Sequence, residues 1–264
     1  MILIKKTFGF FFSIVSIILI NFFILNEKRK NKDTKIIFFY FPVKIYQDNI
    51  LELINILKEE KNFKIVLGYN IGTSNEIKKL NNSFFLNLGY LKYISNVDIF
   101  LSSYVVYNFP KTTNKVYINH DIYDTPMVNI EKEKELMRAL NKCNYIFLSS
   151  DISIKNLQKK FNVHIENQNK INKTKFINTG YLKLDHVNQK ITKNKLEENS
   201  ILLAPTLSSM LPEYNLESII ETVIKNILKS EHLKLIYRPH PGDIKNKNQK
   251  RNIDKILDKF KKHN

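Results

Sequence analysis

The sequence predicts an α/β protein with parallel sheets in two successive units behind an N-terminal apolar helix. Three observations lead there. From residue 35 onward, short runs that are apolar throughout alternate with amphipathic stretches of helical period. Strands without polar alternation are buried on both faces, the pattern of parallel sheets covered by helices. Lysine- and asparagine-rich stretches at 166–175 and 188–199 read as solvated loops, one of which marks the seam between the units.

The first element is TFGFFFSIVSIILINFFIL, residues 7–25, an uncharged run. It is about long enough to cross a bilayer as a helix. A cleaved signal peptide is the competing reading, but the exit NEKRKNKD offers no small-x-small cleavage site. Lys5 and Lys6 precede the run, whereas Lys28, Arg29, Lys30, Lys32 and Lys35 follow it. The positive-inside bias then predicts a single-pass anchor in the cytoplasmic membrane, residues 1–33, with the C-terminal body in the cytoplasm.

KIIFFYF (35–41) is of strand length, and DNILELINILKEE (48–60) places Ile50, Leu53, Ile54 and Leu57 on one helical face. FKIVLGY (63–69) is again a strand. FFLNL (84–88), VDIFLSS (97–103), KVYINH (115–120) and YIFLSS (145–150) are shorter strand candidates, the last two separated by a charged helical stretch, 129–142. KFINTGYLKLD (175–185) passes from a strand into a glycine-containing loop. SILLAPT (200–206) reads as a buried strand, and LESIIETVIKNIL (216–228) repeats its apolar residues at helical spacing. HLKLIYRPHPGD (232–243) is a buried strand broken by two prolines, and NIDKILDKF closes the chain as an amphipathic helix.

The chain has 264 residues, 43% of them hydrophobic and 12% aromatic, as a folded protein does. The formal charge of +17 invites a nucleic-acid partner. However, the lysines are scattered among asparagine and isoleucine, and no stripe of cations interleaved with stacking aromatics appears. An anionic membrane surface or a phosphorylated substrate accounts for the charge as well. The single cysteine, Cys143, rules out an internal disulfide. No His-x-x-His or acidic cluster suggests a metal, and no cofactor is expected.

Ligands of open parallel sheets bind beyond the carboxyl ends of the strands. That rule selects His120 and Asp121; Thr179, Gly180 and Tyr181; Pro205, Thr206, Ser208 and Ser209; and Arg238, His240 and Gly242. Arginine presents a planar fork of donors suited to phosphate. Plainer readings stand beside this one. A histidine at a strand end also serves as an ordinary loop hydrogen-bonding group. Thr206, Ser208 and Ser209 suit a helix N-cap, Asp185 can cap a short helix, and Pro239 and Pro241 can simply end the strand.

NTGYLKLD, ILLAPT and YRPHP, in this order and preceded by YINHDIYDTPM, resemble the landmark motifs of the CDP-glycerol glycerophosphotransferase family. These are membrane-associated bacterial enzymes of teichoic-acid and related glycan synthesis. The resemblance covers residues 97–243. It implies a GT-B fold with a Rossmann-like N-terminal lobe (34–190) and a partial C-terminal lobe (195–264). The implied reaction is transfer of glycerol phosphate from CDP-glycerol to a hydroxyl of a lipid-linked or cell-surface glycan acceptor at the inner membrane surface, releasing CMP. His120 and His240 match the catalytic positions, Arg238, Thr206 and Ser208 the donor-phosphate group. Gly180, Tyr181 and Asp185 match a family loop without an assigned role.

There are departures. INHD lacks the aromatic and glycine of the corresponding motif, and APTLSS lacks the basic residue after the threonine. The family continues past the RPHP strand, so a second chain completing the C-terminal lobe, or an inactive fragment serving as a binding partner, is a further expectation. A nucleotide-sugar glycosyltransferase of capsule or lipopolysaccharide synthesis is the alternative enzyme on the same fold.

Overall fold

The structure, a computed structural model, describes residues 2–43, 50–72, 75–119, 130–164, 174–181, 199–205, 208, 216–230 and 232–261. The chain divides into two units, Met1–Ile191 and Thr192–Asn264.

The first unit runs α1 (Ile2–Lys30), β1 (Lys35–Val43), α2 (Leu51–Lys58), β2 (Phe63–Gly72), α3 (Asn75–Lys78) and β3 (Ser83–Phe85). A 3-10 segment (Leu88–Tyr93) leads into β4 (Val97–Ser102), β5 (Thr112–Ile118), α4 (Ile130–Leu140), β6 (Tyr145–Leu148), α5 (Asp151–His164) and β7 (Lys175–Asn178). The seven strands form one parallel sheet in the order β3-β2-β1-β4-β5-β6-β7. The chain winds outward from β1 to β3, returns beside β1 as β4 and winds outward again to β7. The winding direction therefore reverses between β1 and β4.

Strand β1, KIIFFYFPV, is buried along seven consecutive residues, exposed only at its ends. Its alternation feeds two cores. Ile36, Phe38 and Tyr40 join Val66 and Phe100 on one face, and Ile37, Phe39 and Phe41 join Ile54, Leu67 and Leu101 on the other. Gly68 sits opposite Tyr40 in the ladder. A Cβ there would lie 2.7 Å from Phe38 Cζ and 3.1 Å from Tyr40 Cδ2, so the two rings close over the glycine.

Helix α1 is long and apolar enough to cross a membrane. It nevertheless covers the first of these faces. Ile20 and Ile24 are fully buried in that core, with Ile17 and Phe23 against it. Its polar residues face the same way. Asn21 Oδ1 accepts from Ser95 N at 2.9 Å and its Nδ2 donates to Tyr93 O at 3.1 Å. Ser13 Oγ accepts from Asn87 N at 3.2 Å, and Gly9 O accepts from Asn87 Nδ2 at 3.1 Å. Lys28 Nζ pairs with Asp98 at 2.9 Å, the carboxylate that also receives Ile36 N at 2.8 Å. The helix of the expected anchor, residues 1–33, is grouped with the first unit. The sheet face it covers is too apolar to face water.

The second unit runs β8 (Ser200–Leu203), α6 (Leu216–Ile227), β9 (Lys234–Tyr237), α7 (Pro241–Lys245) and α8 (Lys247–Phe260). β8 and β9 pair in parallel. Ile220, Ile224 and Ile256 pack against Leu203, Leu235 and Tyr237 on one side. Leu202 and Ile236 on the other side are exposed. These strands, expected to be buried, are half-open, since among the described residues helices cover one face only.

Candidate functional site

The second unit gathers its polar groups where β8 and β9 end. Arg238 N donates to Leu203 O at 2.9 Å, holding the two strand ends together. The Arg238 side chain is exposed and makes no ion pair among the described residues. Two residues on, His240 is half-buried with an extended backbone (φ −64°, ψ 134°) and caps α7. Gly242 N–H donates to its Nδ1 at 3.0 Å. A ring nitrogen that accepts carries no hydrogen, so the neutral imidazole holds its proton on Nε2. His240 therefore presents an N–H donor, a tautomer suited to an anionic oxygen rather than to taking up a proton there.

Asp243 ties this loop to the one after β8. It is buried and receives three bonds from one residue. Ser208 Oγ donates to its Oδ1 at 2.7 Å, and Ser208 N lies 3.1 Å from Oδ2 and 3.3 Å from Oδ1. Ser208 was expected to donate to a phosphate; here its hydroxyl proton and its amide both point at a carboxylate. That makes it a latch between loops. Beside them a hollow of about 40 Å³ is lined by Ser208, Glu217, Tyr237, Pro239, Asp243 and Asn252, among others. Burial, and then the Asp243 charge, push the Tyr237 phenol above its ordinary pKa, which keeps it a neutral O–H. Asp243 escaped the sequence reading. Its only signal was a carboxylate three residues after the histidine, in the first turn of α7.

The first unit presents a hydroxyl-rich rim at its own strand ends. The letters IFLSS close both β4 (99–103) and β6 (146–150), on either side of β5. At the end of β4, Ser102 Oγ donates to Tyr40 O at 3.2 Å, whereas the Ser103 hydroxyl is buried and has no partner among the described residues. After β6, Ser150 Oγ accepts from Ser153 N at 3.2 Å as α5 begins. Between them β5 is followed by Asn119, which is buried and whose Oδ1 accepts from the Tyr117 hydroxyl at 3.3 Å. The serine pairs were legible as a repeated pentapeptide but went unused. Past β7, Gly180 takes φ +71°, a left-handed backbone that favours glycine, and its N–H donates to Asn178 Oδ1 at 3.2 Å. Tyr181 follows, half-buried.

Of the residues selected from the sequence, Arg238 and His240 follow β9 in the second unit, Ser208 there bonds Asp243, and Gly180 and Tyr181 lie past the end of β7 in the first. His120, Asp185 and Thr206 lie outside the described residues. Among the described residues, no group of three or more His, Cys, Asp or Glu is placed to hold a metal ion.

No family model matches the chain, and no curated protein matches it. Among solved structures, the chain resembles a crystal structure described as a UDP-N-acetylglucosamine 2-epimerase from Listeria monocytogenes. The TM-score is 0.57 at 14% identity, over 85% of this chain and 66% of that one. The fold is GT-B-like. Ligands of open parallel sheets are met beyond the carboxyl ends of the strands, and both rims described above lie at such ends. Identity this low carries the fold and no more.

Proposed function

We propose that this GT-B-like chain binds a nucleotide-activated donor at the end of β9 and transfers its activated group to a hydroxyl acceptor. The observation that carries the reading is the pairing of two donors there. An exposed guanidinium and an Nε2–H of fixed tautomer stand two residues apart, on backbone held by Leu203 and Asp243.

The motif resemblance makes CDP-glycerol the donor. An acceptor hydroxyl attacks the phosphorus of the glycerol phosphate; the new O–P bond forms as the bond to CMP breaks. The hydroxyl proton passes to a base, for which His120 is the matching residue. Negative charge grows on the transferred group and on the departing CMP; Arg238 offsets it with its own charge and His240 donates a hydrogen bond to it. A lipid-linked or glycan acceptor at the cytoplasmic face of the membrane fits both the basic flank Lys28–Lys32 and the apolar α1.

A nucleotide-sugar enzyme is the second reading, favoured by the structural neighbour, whose description names a UDP-sugar. A donor panel separates the two: CMP released from CDP-glycerol supports the first, UDP released from UDP-sugars the second. His240→Ala and Arg238→Ala are each expected to lower turnover at least tenfold while leaving the circular dichroism spectrum intact. Full activity of His240→Ala would dispose of the assignment. Donor binding without release of either nucleotide would mark a binding partner instead.

A further inference from the structure

Helix α1 divides its surface in an unusual way. The contacts from Gly9 to Lys28 hold one side to the first unit over roughly 29 Å of helix. Ser13 and Asn21, polar residues of the apolar stretch, both make their bonds to the lobe on that side. The opposite side is Phe11, Val15, Ile18, Phe22 and Leu25, spaced by three and four residues, with Phe11, Ile18 and Phe22 exposed by 64%, 63% and 68%. A continuous stripe of large apolar side chains of this size marks a contact surface.

A helix bonded to its own lobe at both ends of the apolar stretch cannot span the hydrocarbon, about 30 Å thick, unless the lobe enters with it. Asn87, Ser95 and Asp98 would have to be carried into lipid. We infer that α1 lies in the plane of an anionic membrane surface, with the Phe11–Ile18–Phe22 side immersed in the headgroup–acyl boundary and the lobe resting above it. Charge selects this occupant over a second copy. Lys5 and Lys6 stand at one end of the helix and Arg29 and Lys32 at the other, beside a Lys30 that pairs with Glu27 at 2.7 Å, and residues 1–26 contain no acid. Two such helices bring basic ends together in either direction, whereas anionic headgroups neutralise both ends at once.

The chain contains no tryptophan, so a single introduced one reports its own depth. Phe11→Trp, Ile18→Trp and Phe22→Trp are made in the full chain and mixed with phosphatidylglycerol–phosphatidylcholine vesicles brominated at shallow or deep acyl carbons. The in-plane arrangement predicts equal depth at all three positions, with shallow bromines quenching at least twice as strongly as deep ones. Ile18→Asp is expected to reduce flotation with the vesicles at least tenfold while helical circular dichroism is kept. Strongest quenching of Ile18→Trp by deep bromines, with Phe11→Trp shallow, would establish a spanning helix and overturn the inference. Equal affinity for purely zwitterionic vesicles would overturn its charge argument, and absence of quenching with a dimer in sedimentation would assign the stripe to a second copy.

Discussion

Removing the Asp243 carboxylate tests whether the two loops of the second unit are held as described. Asp243→Ala leaves the Ser208 amide and hydroxyl without their acceptor. Hydrogen bonds to a charged group contribute about 1.5–3 kcal/mol each, less where water can replace the partner. Ser208 is half-buried, so the two donors together predict a loss of about 2–4 kcal/mol. Ser208→Ala removes only the hydroxyl bond and should cost about 1–2 kcal/mol. In urea unfolding followed by amide exchange of the second unit, the double variant should then lose less than the sum of the single ones. A coupling of at least about 1 kcal/mol is expected. Strict additivity, or a loss below about 0.5 kcal/mol for Asp243→Ala, would show that the loops are held by something else. Donor affinity supplies an independent readout: since His240 and Asp243 share α7, it should fall in Asp243→Ala but stay within about threefold in Ser208→Ala, whose backbone amide still bonds the carboxylate.

Other outcomes follow from single contacts. Burial pushes the Cys143 thiol up to about 12; a thiol reagent at neutral pH should leave it unmodified in the native protein and label it fully in urea. Gly68→Ala drives a methyl against Phe38 and Tyr40 and should cost about 1–3 kcal/mol in denaturant unfolding. Glu221 is held below its ordinary pKa of 4.5, chiefly by its hydrogen bond with Lys259, which clips α6 to α8. A depressed carboxylate contributes stability above its unfolded pKa and loses it as pH falls through the folded value. The melting-temperature gap between the native chain and Glu221→Gln should therefore be present at neutral pH and close in acid below 4.5.

Much of this architecture was legible in the letters. Strands such as KIIFFYF are apolar on both faces because both faces are covered, and that pattern needs no partner information to be read. The parallel class followed, but the strand order did not, since order depends on which side of β1 the chain returns. Helix α5 went unread. Its buried positions, Ser153, Leu157 and Phe161, include a serine, while Ile152 and Val163 sit exposed and blur the stripe. Arg238 and His240 were selected by position at a strand end, and both do follow β9. The latch at Asp243 was not, since it joins residues 35 apart in sequence through a turn that only the folded loops create. In α1 the uniform apolar run hid two different faces; Ser13 and Asn21, both on the docked side, were the available hint.

The way α1 is seated bears on how soluble versions of this protein would be made. Cutting away an apolar leader is the usual first step toward crystals or solution assays. Here it would strip the lid from a sheet whose uncovered side carries Ile36, Phe38 and Phe100 beside Tyr40, whose hydroxyl is already bonded to Leu86 O. Asp98 would also lose its pairing with Lys28. A shortened chain would trade a sticky ridge for a sticky floor, so detergent or lipid discs around the intact polypeptide are the sounder route to measuring what the site does.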